Sequence, residues 1–188
     1  EDDHSGGVAG AELHSIGTRL PHQCVHIRSF SKSHGPDLRL AAVGGAAAPI
    51  DALVRRRQLG PSWTSRLLQR VLLDLLGDKR VQHGVADAER AYAERRTNLI
   101  SALQERGIEI PTTGSGLNLW VPVRDERDAV VALAAQGIGV APGSPFKVHD
   151  PDHHHVRVTI SALPADVSEL ADALARANQP YGRRTTGV

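Results

Sequence analysis

The run from Ser29 to Arg39 places a lysine among hydroxyl groups and seven positions ahead of an arginine. The chain holds three lysines, and Lys32 is the one in this run. A lysine amine can condense with a carbonyl carbon, and pyridoxal phosphate (PLP) is the cofactor that most often uses such a lysine. Ser29 and Ser31, together with Arg39, would suit the phosphate group of that cofactor.

Two short apolar segments flank this run and predict strands. Residues 25–27 lead into it, and residues 38–43 leave it. An arbitrary lysine is usually a solvated charge on a loop, but a tight turn between two buried strands is not a typical solvated position. The flanking strands therefore favour a chemical role for Lys32.

This segment resembles the Schiff-base segment of the fold type I PLP enzymes, the class I and II aminotransferases. It is more similar still to the aminotransferase-like domain of MocR-type regulators in the GntR family. The resemblance implies that Lys32 forms the Schiff base with PLP, and that Ser29 and Arg39 hold the cofactor phosphate. The residues that carry it are Ser29-Phe30-Ser31-Lys32 and Gly35-Pro36-Asp37-Leu38-Arg39-Leu40.

The first four residues carry a second part of the resemblance. Glu1-Asp2-Asp3-His4 is similar to a Glu-Asp-Asp-Tyr segment of the family. This implies that Asp2 pairs with the pyridine nitrogen of PLP, with Asp3 as the alternative. His4 stands where the family has a tyrosine that binds the ring hydroxyl. Since imidazole titrates near neutral pH, the spectrum of bound PLP would then respond to pH differently.

A third part lies near the end of the chain. The β-branched residues and alternation of 156–160 predict a strand with Arg157 on one face. Arginine can donate two parallel hydrogen bonds to a carboxylate, and Arg157 resembles the family arginine that binds the substrate carboxylate. The alternative is a strand arginine that points to solvent. Segments 116–123 and 137–146 resemble small-domain strands, and Asn118, a residue often histidine in the family, is implied to contact substrate.

The order of helices and strands predicts an α/β fold. By the resemblance, the chain is the C-terminal part of a PLP-dependent transferase large domain plus a small α+β C-terminal domain. The expected divisions are 1–76 for the large-domain part, 77–107 for a connecting helix, 108–180 for the small domain and 181–188 for a tail. Helices are predicted near 50–57, 62–77, 81–106, 127–136 and 164–178, and further strands near 117–123, 138–141 and 155–162.

Local signals give the helix ends and leave one motif open. We expect Ser62 to cap the second helix, Asp125 with Glu126 to cap the fourth, and residues 164–166 to open the last. The segment 63–66 either contacts a phosphate across a dimer interface or packs the Trp63 indole at a helix start. The basic run Arg55-Arg56-Arg57 favours a solvated helix face over nucleic-acid binding.

Composition excludes several classes. The net charge of +1 gives no general attraction to nucleic acid or anionic membrane, and no apolar run approaches the roughly 20 residues of a membrane span. The single cysteine, Cys24, excludes an internal disulfide framework and favours the cytoplasm. Three consecutive histidines, 153–155, cannot converge on one ion from a strand, so no metal is expected.

The expected function follows from the resemblance. The chain has no methionine and opens inside the Glu-Asp-Asp motif, so we expect a fragment with weakened PLP affinity. It would exchange the Schiff base at Lys32 with an amino acid or amine, as the effector-sensing part of a GntR/MocR-type regulator. The alternatives are a stand-alone amino-acid aminotransferase and an inactive fragment of either. The resemblance also implies a homodimer, with DNA contacted only through an upstream domain outside this chain.

Overall fold

The computed structural model describes residues 1–11, 14–60, 62–112, 114–148 and 153–179. The chain divides into two compact units, Glu1–Ala91 and the part from Tyr92 onward. Both contain helices and a sheet, in agreement with the predicted α/β fold. The divisions at 76 and 107 remain predictions, and the predicted tail 181–188 lies outside the described residues.

The first unit contains a three-stranded sheet in the order β1-β2-β3, with β1 at Asp2–Asp3, β2 at Val25–Ser29 and β3 at Ala41–Gly45. β1 is parallel to β2, and β3 is antiparallel to it. The strand predicted to begin at residue 38 begins at Ala41 instead. Pro36–Leu38 form a short 3-10 helix, because the proline fixes the backbone of its first turn.

Three helices follow: α1 is Ala47–Gln58, α2 is Arg66–Gly77 and α3 is Lys79–Gln104, which begins in the first unit and ends in the second. The predicted cap Ser62 is wrong. Ser65 caps α2 instead, since its hydroxyl accepts a hydrogen bond from Leu68 N at 3.4 Å. Trp63 is 77% exposed, so its interpretation as a packed indole is wrong as well. The arginines of the basic run are exposed at the end of α1, as predicted.

The second unit contains an antiparallel sheet in the order β4-β6-β5, with β4 at Asn118–Pro122, β5 at Ala141–Pro142 and β6 at His155–Thr159. The strand predicted at 138–141 is largely replaced by a helix ending. Ile138 N donates to Leu133 O at 3.0 Å, and Gly137 adopts a φ of +76°. The backbone groups of this segment therefore close a helix before the chain reaches the sheet.

Two more helices complete this unit: α4 is Glu126–Ala134 and α5 is Ser168–Asn178. Asp125 caps α4 as predicted, because its carboxylate accepts from Asp128 N at 2.9 Å. The last helix does not open at 164–166. Leu163 and Val167 are buried, so the chain turns into the core before α5 begins at Ser168.

The core of the second unit lies on one face of its sheet. Alternate residues of β4 and β6 are buried there, and buried side chains of α3, α4 and α5 join the same cluster. The other face therefore presents the intervening residues of both strands. No helix in the described part of the chain is long and apolar enough to cross a membrane. The strand and helix residues of this core include Leu119, Val121, Val156, Val158, Leu99, Leu103, Leu133 and Leu174.

Candidate functional site

The end of β2 and the loop that joins it to β3 carry four of the predicted site residues, of which Ser29 is the last residue of the strand. Lys32 is exposed in a turn that begins just after β2, and Ser31 N donates to Ser29 Oγ at 3.4 Å. Phe30 N donates to Leu40 O at 3.1 Å, which joins the two ends of the loop. Ser31, Lys32 and Arg39 therefore lie on one connection, Ser29 lies at its start in β2, and the sheet holds the two ends of the connection together.

A small apolar cluster anchors this loop. Leu38 and Leu40 are buried, and they pack with Leu72 of α2. The aromatic ring of Phe30 and the α2 residues Leu68 and Leu75 pack against the same cluster. The amphipathic face of α2 thus holds the base of the loop while the lysine stays in solvent.

Arg39 has an unusual backbone. Its φ is +49°, and among the described residues it is the one non-glycine with a positive φ. A left-handed conformation costs an L-residue about 1–2 kcal/mol, and such strain tends to persist at functional sites. Gly35, at the other end of the 3-10 helix, has a φ of +120°, which only glycine adopts without strain. The loop is therefore shaped by both residues.

The two aspartates of β1 have different surroundings. Asp3 forms an ion pair with Arg28 and accepts a hydrogen bond from Gly6 N at 2.8 Å. Burial raises the pKa of Asp3, but the bonds from Arg28 and Gly6 outweigh it and hold that pKa below its ordinary value. Asp2 is exposed and has no hydrogen-bond partner among the described residues. Asp2 therefore keeps a carboxylate available for a ligand, whereas Asp3 is already paired.

The parallel register relates β1 to the lysine loop. Asp2 lies opposite Ile27, and both strands end at the same edge of the sheet. That edge is where ligands bind in open α/β sheets. His4 follows β1 at this edge, is exposed and has no hydrogen-bond partner among the described residues.

His34 is a residue of this loop that the sequence analysis did not select. Its Nδ1 lies 2.8 Å from Ser33 Oγ, and its ring meets Phe30 edge-on with centroids 5.8 Å apart. Burial, followed by the charge of Arg28, lowers the pKa of His34, so the imidazole is neutral at pH 7. Its position two residues after Lys32 was the signal that could have found it.

In the second unit, Arg157 occupies the central strand. Trp120 and Ala141 are its neighbours on the two flanking strands. Its Cζ lies 4.2 Å from the centroid of the Phe146 ring, and its buried Nε has no hydrogen-bond partner among the described residues. The alternative of an arginine pointing to open solvent is therefore wrong. Since buried polar groups are nearly always bonded, this N–H is a candidate for a ligand.

Asn118 lies on the same face of the sheet as Arg157. It pairs with Thr159, whose hydroxyl donates to Asn118 Oδ1 at 3.3 Å. The carbonyl of Asn118 accepts from Arg96 at 2.9 Å, and burial lowers the pKa of Arg96. The start of β4 is thus held by a helix side chain that sequence spacing did not reveal.

The predicted site residues fall into two groups. The lysine loop and the β1 residues belong to the first unit, and Asn118 and Arg157 belong to the second. Sequence reasoning assigned no site role to Phe146, and it assigned Glu126 only a capping role. In the part of the chain that the structure describes, no group of three or more His, Cys, Asp or Glu side chains could hold a metal ion.

The chain matches a protein-family model and several known proteins. The family model described as "Aminotransferase class I and II" matches residues 2–174. The chain is 35% identical over 172 residues to the vitamin B6 salvage pathway transcriptional repressor PtsJ of Salmonella typhimurium, covering 90% of this chain and 40% of that protein. It is 32% identical to the HTH-type transcriptional regulator TauR of Rhodobacter capsulatus, over 81% of this chain and 33% of the regulator.

An enzyme and a solved structure also match. The chain is 31% identical to the aminotransferase tdiD of Emericella nidulans, over 80% of this chain and 38% of the enzyme. LysN, an α-aminoadipate aminotransferase from Thermus thermophilus complexed with N-(5'-phosphopyridoxyl)-L-leucine, superimposes with a TM-score of 0.78 and 19% identity, over 94% of this chain and 49% of the enzyme. The likeness confirms the predicted fold. The chain spans at most about 40% of the length of these curated relatives.

Proposed function

Because this chain belongs to the class I and II aminotransferase family, we propose that it is the PLP-binding, effector-sensing part of a GntR/MocR-type transcription regulator. In this proposal Lys32 Nζ binds the cofactor, and the bound ligand is an amino acid or amine. PLP supplies an aldehyde that takes up an amine and a ring that stabilises negative charge. The chain's own residues would bind, orient and move protons around it.

The observation that carries this proposal is the strained backbone of Arg39 on the loop that bears Lys32. A left-handed arginine is unfavourable for folding, so the loop geometry suits a ligand better than it suits stability. The guanidinium, with Ser29 and Ser31, would hold the phosphate by charge-assisted hydrogen bonds. Lys32 has an exposed amine between these groups.

The positions and existing bonds of the other residues suggest which part of the cofactor each would bind. Asp2 would pair with the pyridine nitrogen, since its neighbour Asp3 is committed to Arg28. His4 would bond the ring hydroxyl from the same sheet edge. Lys32 Nζ, when not bonded to the cofactor, would act as the base that moves a proton on the ligand.

The ligand carboxylate is assigned to the second unit. Arg157 would bind it, since the buried Nε of this arginine has a hydrogen to donate. Asn118 would contact the ligand from the first residue of the adjacent strand. A second copy of the chain and an upstream DNA-binding domain complete the proposal.

A stand-alone aminotransferase is the second candidate, favoured by the match to tdiD. The two functions differ in whether ligand exchange leads to repeated turnover. An amino acid with excess 2-oxo acid should give at most one equivalent of amino-group transfer if the domain senses a ligand. Sustained production of the amino acid formed from the 2-oxo acid would favour the enzyme.

The test of the cofactor site is covalent trapping. The purified chain is mixed with PLP, its absorbance spectrum is recorded, and it is then reduced with borohydride and digested for peptide mass mapping. We expect a pyridoxyl mass on the Lys32 peptide and its loss in Lys32→Ala. Lys79→Ala, the matched control on α3, should keep the label.

A label spread equally over Lys32, Lys79 and Lys147 would contradict the site assignment. Before reduction, Asp2→Asn should shift the absorbance of the chain mixed with PLP, whereas Asp3→Asn should chiefly lower the stability of the fold.

A further inference from the structure

Glu126 makes an unusually complete set of contacts for a residue at the start of a helix. One carboxylate oxygen, Oε2, accepts from Gly143 N and from Ser144 N, both at 2.7 Å. The other, Oε1, accepts from Ser144 Oγ at 2.6 Å. Both oxygens are therefore used by a segment seventeen residues further along the chain. Capping of α4 does not explain this, since Asp125 already supplies the cap.

The segment that Glu126 binds is a tight turn pressed against the central strand. Gly143 N also donates to His155 O at 3.0 Å, and a Cβ at Gly143 would lie 2.5 Å from that oxygen. Phe146 N donates to Gly143 O at 2.9 Å, which closes the turn. The turn therefore fixes the position of the Phe146 ring relative to the sheet.

The Phe146 ring in turn faces the Arg157 guanidinium. The separation of 4.2 Å between Cζ and the ring centroid is that of a cation–π contact. A ring on the face of a guanidinium leaves the N–H groups in the guanidinium plane uncovered by the ring, and these are the groups that form a paired bond to a carboxylate. Arginine otherwise loses about 2 kcal/mol of rotamer entropy when it is immobilised, and the ring reduces that cost at binding.

We propose that Glu126 is a positioning residue for the carboxylate site: it holds the turn at 143–146, which holds Phe146, which orients Arg157. This inference rests on the proposed role of Arg157 in binding a carboxylate. It adds a residue and a route to that role, through hydrogen bonds and ring contact within the second unit. Glu126 itself touches neither ligand nor cofactor.

The carboxylate of Glu126 suits this task in its charged form. Burial raises its pKa, but the hydrogen bonds from Ser144 and Gly143 outweigh it and keep that pKa below the ordinary value. The start of a helix also favours negative charge. Glu126→Gln keeps the shape of the side chain, and its amide nitrogen can donate to the Ser144 hydroxyl, so the variant chiefly removes the negative charge that strengthens the hydrogen bonds from Gly143 and Ser144.

The experiment reads Arg157 directly and needs no PLP. The side-chain Nε–H signal of Arg157 is recorded by ¹H–¹⁵N NMR, assigned by its loss in Arg157→Lys, and titrated with succinate against sodium chloride at equal ionic strength. We expect a ring-current shift in the natural chain. In Glu126→Gln that shift should shrink and the succinate Kd should rise about tenfold, which corresponds to about 1.4 kcal/mol.

Two further variants keep the inference decidable. Glu169→Gln removes the same charge from the first turn of α5, where the side chain is exposed, and should leave both readouts unchanged. Phe146→Leu removes the ring without touching Glu126 and should reproduce the loss. If Glu126→Gln does not fold, the succinate Kd of Phe146→Leu is compared with that of the natural chain and with that of Arg157→Lys. A value for Phe146→Leu equal to that of the natural chain then contradicts the inference.

The inference is overturned if Glu126→Gln and Phe146→Leu keep a succinate Kd within about twofold of the natural chain. It is equally overturned if succinate leaves the Arg157 signal of the natural chain unmoved. A natural chain that binds succinate at Arg157 but takes no pyridoxyl label at Lys32 refutes the cofactor proposal alone. The two failures are thus distinguishable.

Discussion

The two units of the chain differ in how they support their site residues. In the second unit, Arg157 and Asn118 stand on a sheet whose other face is covered by a large cluster of fully buried side chains. In the first unit, the Lys32 loop packs on three leucines that are each 8–9% exposed. Leu133 of the second unit is 0% exposed, whereas Leu72 of the first is 9% exposed.

This difference indicates what stabilises each unit. Apolar burial is the main source of stability in a folded domain, so the large buried core stabilises the second unit. The buried cluster of the first unit is smaller, and this unit carries the strained Arg39. We therefore expect the proposed cofactor residues to lie in the less stable unit, as is common for regions that respond to ligands.

The largest expected effect is in the core of the second unit. Leu133→Ala should lower the free energy of unfolding by about 2–5 kcal/mol, because it leaves a cavity at a fully buried position. Val131→Ala, on the same helix but 64% exposed, should change it by less than about 0.5 kcal/mol. Urea denaturation followed by circular dichroism measures both. If Leu72→Ala in the first unit lowers the free energy of unfolding as much as Leu133→Ala does, the two units do not differ in the stability that their cores supply.

Arg39 offers an effect of intermediate size. Arg39→Gly should raise the free energy of unfolding by up to about 1 kcal/mol, because glycine adopts a positive φ without strain. It should weaken PLP binding at the same time, since the guanidinium is lost. Arg39→Ala is the matched control, which loses the same guanidinium but keeps the strain. If both variants lower stability equally, the backbone of Arg39 is not strained.

The smallest expected effect concerns the pH dependence of the first unit. The pKa of Asp3 in the folded chain lies below the ordinary 3.8. Its ion pair therefore stabilises the fold above about pH 3.8, and this contribution is lost as the pH falls through the lowered pKa. Asp3→Asn should cost about 0.5 kcal/mol at neutral pH, because solvent screens the partly exposed ion pair, and its stability should converge with that of the natural chain in acid.

Unfolding free energies measured from about pH 2 to pH 6 would show this convergence. Arg28→Met removes the same ion pair by replacing the arginine, and it should reduce the change in unfolding free energy between low and neutral pH. Parallel curves for the natural chain and Asp3→Asn over the whole range would show that Asp3 titrates alike in the folded and unfolded chain.

Several elements could be predicted because their signals are local. The run around Lys32, the Asp125 cap and the alternation of β4 and β6 each lie within a few neighbouring residues. Errors occurred where tertiary contacts compete with local preference. The helix predicted to be capped by Ser62 begins later, at Arg66 after the cap Ser65, and most of the strand predicted at 138–141 is replaced by the end of α4.

The family, the α/β fold and the candidate lysine could be predicted from the sequence, because they depend on short motifs and on the periodicity of apolar residues. The folded chain was needed to show which aspartate of β1 is already paired, and that Arg157 lies against Phe146 with a buried Nε that no described residue bonds. It also decided that Glu126 binds a turn seventeen residues away. These contacts depend on strand register and on the packing of distant segments, which local sequence does not encode.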